Sequence, residues 1–136
     1  MNSLERTLSI VKPDAVERNL TENIKKVFTE NKLKIVQEKK IQISKEEAAE
    51  FYKVHQTKPF YERLCNYLSS GPITVMILEG EDAIKENRRI MGATDPKNAE
   101  DGTIRKLYGL SIDKNSIHGS DSIENAKKEI DFFFKN

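Results

Sequence analysis

The run Ile73-Thr74-Val75-Met76-Ile77-Leu78 offers apolar side chains on both alternating faces, the pattern of a strand in the middle of a sheet. The flanking sequence supplies its neighbours. Thr7-Leu8-Ser9-Ile10-Val11 alternates polar and apolar residues before Lys12-Pro13-Asp14, where proline removes a ladder donor and leaves Lys12 at a strand end. The odd positions Leu33, Ile35, Ile41 and Ile43 read as one long strand of period two, and Ser116-Ile117-His118 as a short one.

Helical spacing fills the gaps. Ile24, Val27 and Phe28 mark a helix between the first two strands. Ser44 with Glu47 has the form of a capping box, and the helix that follows carries Ala48, Phe51, Tyr52 and His55 on one side. Pro59 at a first helical position opens a second short helix through Phe60, Leu64 and Tyr67 or Leu68, which Ser70-Gly71-Pro72 breaks. Ala83, Ile84, Asn87, Ile90 and Met91 trace a helix ending at Gly92; a polar loop from Ala93 to Gly102 and a turn or two through Ile104, Leu107 and Tyr108 follow, closed by Gly109. Asp121 is the expected cap of a last helix, with Glu124 three residues on and Ile123, Ala126, Ile130 and Phe133 as its apolar stripe. With the inserted helical pair set aside, the order is βαββαβ. This predicts an α+β, ferredoxin-like domain over residues 1–136, a four-stranded antiparallel sheet covered by helices on one face, an arrangement that names no function.

Composition narrows the setting. The 136 residues are 37% hydrophobic and 33% charged, with no long apolar run and no low-complexity tract, which argues against a membrane-embedded or a disordered chain. A single cysteine, Cys65, builds no disulfide framework, and the charged start Met1-Asn2-Ser3-Leu4-Glu5-Arg6 lacks the apolar stretch of a signal peptide. A cytoplasmic location is expected. Lys and Arg number 23 against 22 Asp and Glu, so no overall field draws in nucleic acid and any polyanion site is local.

The densest chemistry lies in Asn115-Ser116-Ile117-His118-Gly119-Ser120-Asp121. Period two sends His118 outward if Ile117 enters the core, and Gly119 leaves room for a ligand. This stretch, Asn-x-x-His-Gly-Ser-Asp, resembles the active-site signature of the nucleoside diphosphate kinases. Thr7 to Val16 resembles that family's first strand and lysine, Phe51-Tyr52 and Pro59-Phe60 its nucleotide-lid helices, and Met91 to Pro96 with Gly102 to Arg105 its phosphate loop. The likeness runs through essentially the full chain.

The resemblance implies that His118 takes the γ-phosphoryl group of a nucleoside triphosphate and passes it to a nucleoside diphosphate, a ping-pong exchange. A free imidazole has a pKa of about 6.5, so it needs orientation more than deprotonation. By the same resemblance Glu129 holds the other ring nitrogen and Ser120 tethers that carboxylate. Lys12, Tyr52, Arg88, Thr94 and Arg105 match positions that surround the transferring group, where fixed cations and donors are the main catalytic resource. Phe60 and Leu64, one helical turn apart, fit either a base sandwich edged by Ile112 or ordinary core; the resemblance favours the base. By the same resemblance Asn115 and Lys12 hold the sugar hydroxyls. No side chain remains to read a base edge, so broad base specificity is expected. No Gly-x-x-x-x-Gly-Lys-Ser/Thr loop occurs, so side chains must hold the phosphates, and Mg²⁺ is expected to arrive bound mainly through them. His55, Cys65 and His118 show no metal-ligand spacing; Cys65 reads as a small buried hydrophobe.

The chain departs from the family pattern at Glu22, where glycine is usual, at Leu107-Tyr108, which replaces an acidic-aromatic pair, and at Lys135-Asn136, where a longer tail is common. The family's habit is a homo-oligomer, here a homohexamer ahead of a tetramer. Two rivals lose ground. RNA-binding modules of this strand order stack bases on aromatics of central strands, whereas Ile73 to Leu78 has none, so a nucleic-acid partner is not expected. A regulator that had lost turnover would lack the nucleophile, and His118 is present.

Overall fold

Four strands form one antiparallel sheet in a computed structural model that describes residues 4–112 and 114–134. They are β1 (Leu4–Val11), β2 (Lys34–Ile41), β3 (Ile73–Glu81) and β4 (Ile117–Gly119), in the order β2-β3-β1-β4. Seven α-helices connect or follow them among the described residues: α1 (Pro13–Glu17), α2 (Thr21–Glu30), α3 (Lys45–Phe51), α4 (Tyr61–Leu68), α5 (Ala83–Met91), α6 (Ile104–Tyr108) and α7 (Ile123–Phe134). The Met1–Ser3 start and the Lys135–Asn136 end lie outside the described residues.

The apolar run of β3 is central, as its two-sided pattern predicts. β1 pairs with it from Leu4↔Glu81 to Val11↔Thr74, and β4 lies along the other edge of β1 at Ser9↔Gly119, Ile10↔His118 and Val11↔Ile117. Helices cover both faces of the sheet, where one was expected. Val11, Met76, Leu78 and Ile117 pack with Ile24 and Phe28 of α2 and Ala83, Ile90 and Met91 of α5. On the opposite face Leu8, Ile10, Ile73 and Val75 meet Ala48 of α3, Cys65 and Leu68 of α4 and Phe133 of α7. The inserted helical pair and the last helix thus form a second layer, which strands apolar on both faces require. Each fully buried Leu, Ile or Phe contributes about 1.5–3 kcal/mol to burial on either side.

β2 does not keep one face. Ile35 pairs with Leu78 but Gln37 with the adjacent Ile77, so Val36 is an extra residue that advances the side-chain alternation by one step. Leu33 and Ile35 therefore serve the first core, and Ile41 and Ile43 the second. Strict period two would have put all four together.

Helix ends differ from expectation in three places. The Ser44–Glu47 capping box forms, at 3.0 and 2.9 Å, but α3 stops at Phe51; Tyr52 is its C-cap, and His55 lies in a 3-10 turn. Pro59 precedes the helix it was expected to start, because Phe60 is the N-cap of α4. At α7 it is Ser122 Oγ that accepts from Asn125 N, at 3.1 Å, while Asp121 takes the Asn125 side chain and Ile123 is 70% exposed.

Candidate active site

His118 sits on β4 between two residues buried against the first core, so the alternation of the strand turns its ring to the other side. Its Nε2 lies 2.9 Å from Glu129 Oε1 of α7, and the same oxygen accepts from Ser120 Oγ at 2.8 Å. A carboxylate oxygen only accepts, so Nε2 is the donor, and in the neutral tautomer that this selects, the lone pair lies on Nδ1. Phe51, at the end of α3, meets the imidazole edge-on with centroids 5.3 Å apart. Gly119 keeps this strand close to α5: a Cβ there would collide with Asn87 Nδ2 and lie 2.7 Å from Met91 Sδ.

Cations gather around this ring from several segments. Lys12, at the end of β1, is buried and donates from Nζ to Asn115 Oδ1 at 2.9 Å; Asn115 Nδ2 in turn donates to the Thr94 carbonyl at 3.0 Å. Arg105 of α6 is buried and reaches the carbonyls of Gly92 at 3.1 Å and Ile117 at 2.8 Å, tying the end of α5 to the strand of His118. Burial first, then the nearby charge of Arg88, pushes Arg105 down to about 10, and its Nε has no hydrogen-bond partner among the described residues. Asp121 is held below the usual carboxylate range, chiefly by its bond from Asn125. Burial pushes the Tyr52 hydroxyl well above the ordinary phenol value, so it stays protonated at neutral pH.

These side chains line one cleft of about 950 Å³. Lys12, Tyr52, Phe60, Leu64, Arg88, Thr94, Arg105, Ile112, Asn115, His118 and Glu129 all border it; Ser120 stands behind, fully buried, on Glu129. Phe60 and Leu64 are half-buried on its wall, Leu64 also packing against the second core, and Ile112 is exposed at its edge. Among the described residues no group of three or more His, Cys, Asp or Glu side chains is placed to hold a metal ion. Sequence reasoning missed the packing of Phe51 on His118 as a feature of the site, and the partners of Asp14 altogether, since both arise from segments far apart in the chain.

A histidine with one ring nitrogen fixed by a carboxylate, in a cleft lined by lysine and arginine, is the equipment of a phosphotransferase. The family model for nucleoside diphosphate kinase matches residues 5–136. A nucleoside diphosphate kinase of Nitratiruptor sp. is 56% identical over 131 residues, 96% of both chains, and one of Persephonella marina 55% identical over 132 residues, 97% of this chain and 94% of that one. Among solved structures, an orthorhombic crystal form of the Aquifex aeolicus nucleoside diphosphate kinase superposes with a TM-score of 0.96 at 43% identity, covering 98% of this chain and 97% of that one. The apo enzyme of Encephalitozoon cuniculi gives 0.94 at 37% identity, over 97% and 90%. The chain belongs to the nucleoside diphosphate kinase family, and it is an enzyme that transfers phosphate between nucleotides.

Proposed function

We propose that residues 1–136 act as one nucleoside diphosphate kinase domain that works by ping-pong transfer through a phosphohistidine on His118. The observation that carries this is the Nε2 contact with Glu129, which leaves Nδ1 as the nucleophile. Nδ1 forms a bond to the γ-phosphorus of a nucleoside triphosphate while the bond from that phosphorus to the β–γ bridging oxygen breaks, and the electron pair departs on the diphosphate. A second diphosphate reverses the step. Ser120 steadies Glu129, and Lys12, Tyr52, Arg88, Thr94 and Arg105 surround the transferring group with donors and positive charge, where such groups lower the barrier most. When bound, Mg²⁺ supplies further neutralisation of the phosphate charge; the lining of the cleft suits an ion carried by the nucleotide's own oxygens, since a hard cation needs few protein ligands there.

Phe60 and Leu64 sandwich the base, Ile112 borders it, and Asn115 with Lys12 holds the sugar. Stacking on an apolar face is worth about 1–3 kcal/mol per base and separates bases poorly, so ADP, GDP, CDP and UDP should all be accepted. A preference for one of them beyond about a thousandfold would reveal a hydrogen bond to a base edge. The reading includes a cytoplasmic location and a homohexamer, with a tetramer as the alternative; Leu107 and Leu110, more than half exposed on one segment, give a neighbour apolar surface to cover. Incubation with ATP and Mg²⁺ should leave one acid-labile, base-stable phosphoryl group on His118, located by mass spectrometry. A His118→Ala protein that still exchanges phosphate between nucleotides would overturn the assignment.

A further inference from the structure

Asp14 is nearly inaccessible at the start of α1, its side chain 4% exposed, yet it joins three walls of the cleft. One carboxylate oxygen accepts from the Tyr67 hydroxyl. The other accepts from Ser116 Oγ at 2.8 Å and from Arg18 Nη2 at 3.0 Å, and Arg18 reaches on to the Tyr108 carbonyl at 2.5 Å. Tyr67 belongs to α4, the helix of Leu64, and Tyr108 ends α6, the helix of Arg105. Ser116 stands between Asn115 and the strand of His118.

Ser116 has a φ of 76°, a region that residues other than glycine, Asn and Asp seldom enter. In that conformation its carbonyl accepts from Lys12 N at 2.9 Å, while Asn115 Oδ1 takes the bond from Lys12 Nζ. The strained turn thus sets the lysine and the asparagine against each other. His118 is held by other means: Ile117 and His118 pair with Val11 and Ile10, and Arg105 grips the Ile117 carbonyl.

We propose that Asp14 is a positioning residue for nucleoside binding: through the Ser116 hydroxyl it holds the left-handed turn that presents Asn115 to the sugar, while Lys12, anchored at the end of β1 by the pairing of Val11 with Thr74 and Ile117, keeps its place beside the phosphoryl group. This rests on the reading of Asn115 as a sugar-binding residue. The turn needs such an anchor because strain of this kind persists only when its surroundings over-determine it.

The test compares two phosphoryl donors, ATP and phosphoramidate, a small donor with no nucleoside. Ser116→Ala keeps the strain and loses the anchor, so the apparent KM for ADP should rise about tenfold, while labelling of His118 by phosphoramidate stays within roughly twofold of the parent. Ser116→Gly enters the same φ without strain and should recover most of the lost affinity. The proposal is overturned if Ser116→Ala leaves KM unchanged, if the phosphoramidate reaction falls in parallel with it, or if glycine does no better than alanine. Failure of the site assignment looks different, for then the parent itself takes no phosphoryl group on His118 from either donor.

Discussion

Glu129 Oε1 accepts two hydrogen bonds, from His118 and from Ser120, and this double use ranks the substitutions around it. Without the carboxylate the imidazole still meets the edge of Phe51 but loses the hydrogen bond that fixes its ring nitrogen. Misplacing a reacting atom by about 1 Å costs roughly a hundredfold in rate, so Glu129→Ala should slow phosphohistidine formation by about that factor. Ser120→Ala removes a single bond to the carboxylate and should cost about tenfold at most. Quenched-flow measurement of the phosphoenzyme gives both numbers; a Glu129→Ala protein that phosphorylates at the parent rate would show that the carboxylate does not orient the ring.

The end of α5 and the start of α6 meet at Gly92. Its φ is 88°, and a Cβ there would lie 2.5 Å from Thr103 Oγ1, the oxygen that caps α6. The Gly92 carbonyl also accepts from Arg105. Gly92→Ala should therefore strain the turn and push α6 away, at a cost of about 2–3 kcal/mol in stability, and should weaken nucleotide binding as Arg105 moves. Thermal melting beside a KM for ADP checks the pair, and unchanged values for both would refute the linkage. Gly92 was legible as a stop because glycine after an apolar helical stripe has few other meanings. The extra residue at Val36 was not, since no glycine or proline marks it; the bulge answers a need of the two cores that a single strand does not display. Nor could the cap of α7 be chosen from Asp121 and Ser122, adjacent residues that are both good caps. The site was readable where neighbours in sequence carry it, from Asn115 to Asp121. The bonds joining Asp14 to Tyr67 and Ser116 span 53 and 102 positions and left no local mark.

A buried guanidinium pushed down to about 10 is a cation the free protein holds at a disadvantage. The sign follows from proton binding: the unfolded chain binds the proton more tightly, so this penalty is complete below about pH 10 and fades only as pH rises toward the ordinary arginine value. A phosphate beside it offsets the deficit. ADP at about a hundred times its dissociation constant should stabilise the fold by about 2.7 kcal/mol, roughly 8–14 °C in Tm for a chain of this size. Adenosine at the same concentration should give a much smaller shift, because it brings no charge to Arg88, Arg105 or Lys12. Equal shifts from the two ligands in scanning fluorimetry would mean that the cations do not grip the phosphates. Light scattering at micromolar concentration should find a hexamer, or failing that a tetramer; a monomer alone would defeat both.

β1 and β3 lend side chains to both cores, Leu8, Ile10, Ile73 and Val75 to one and Val11, Met76 and Leu78 to the other. Neither layer of helices has a wall of its own, so neither can melt and leave the other standing. Far- and near-ultraviolet signals should disappear over one temperature interval. Cooperativity of this kind carries damage across the sheet: emptying the space of Phe28, remote from α3 and α4, costs about 3–5 kcal/mol, and that loss is charged to the helices over the cleft as much as to its own layer.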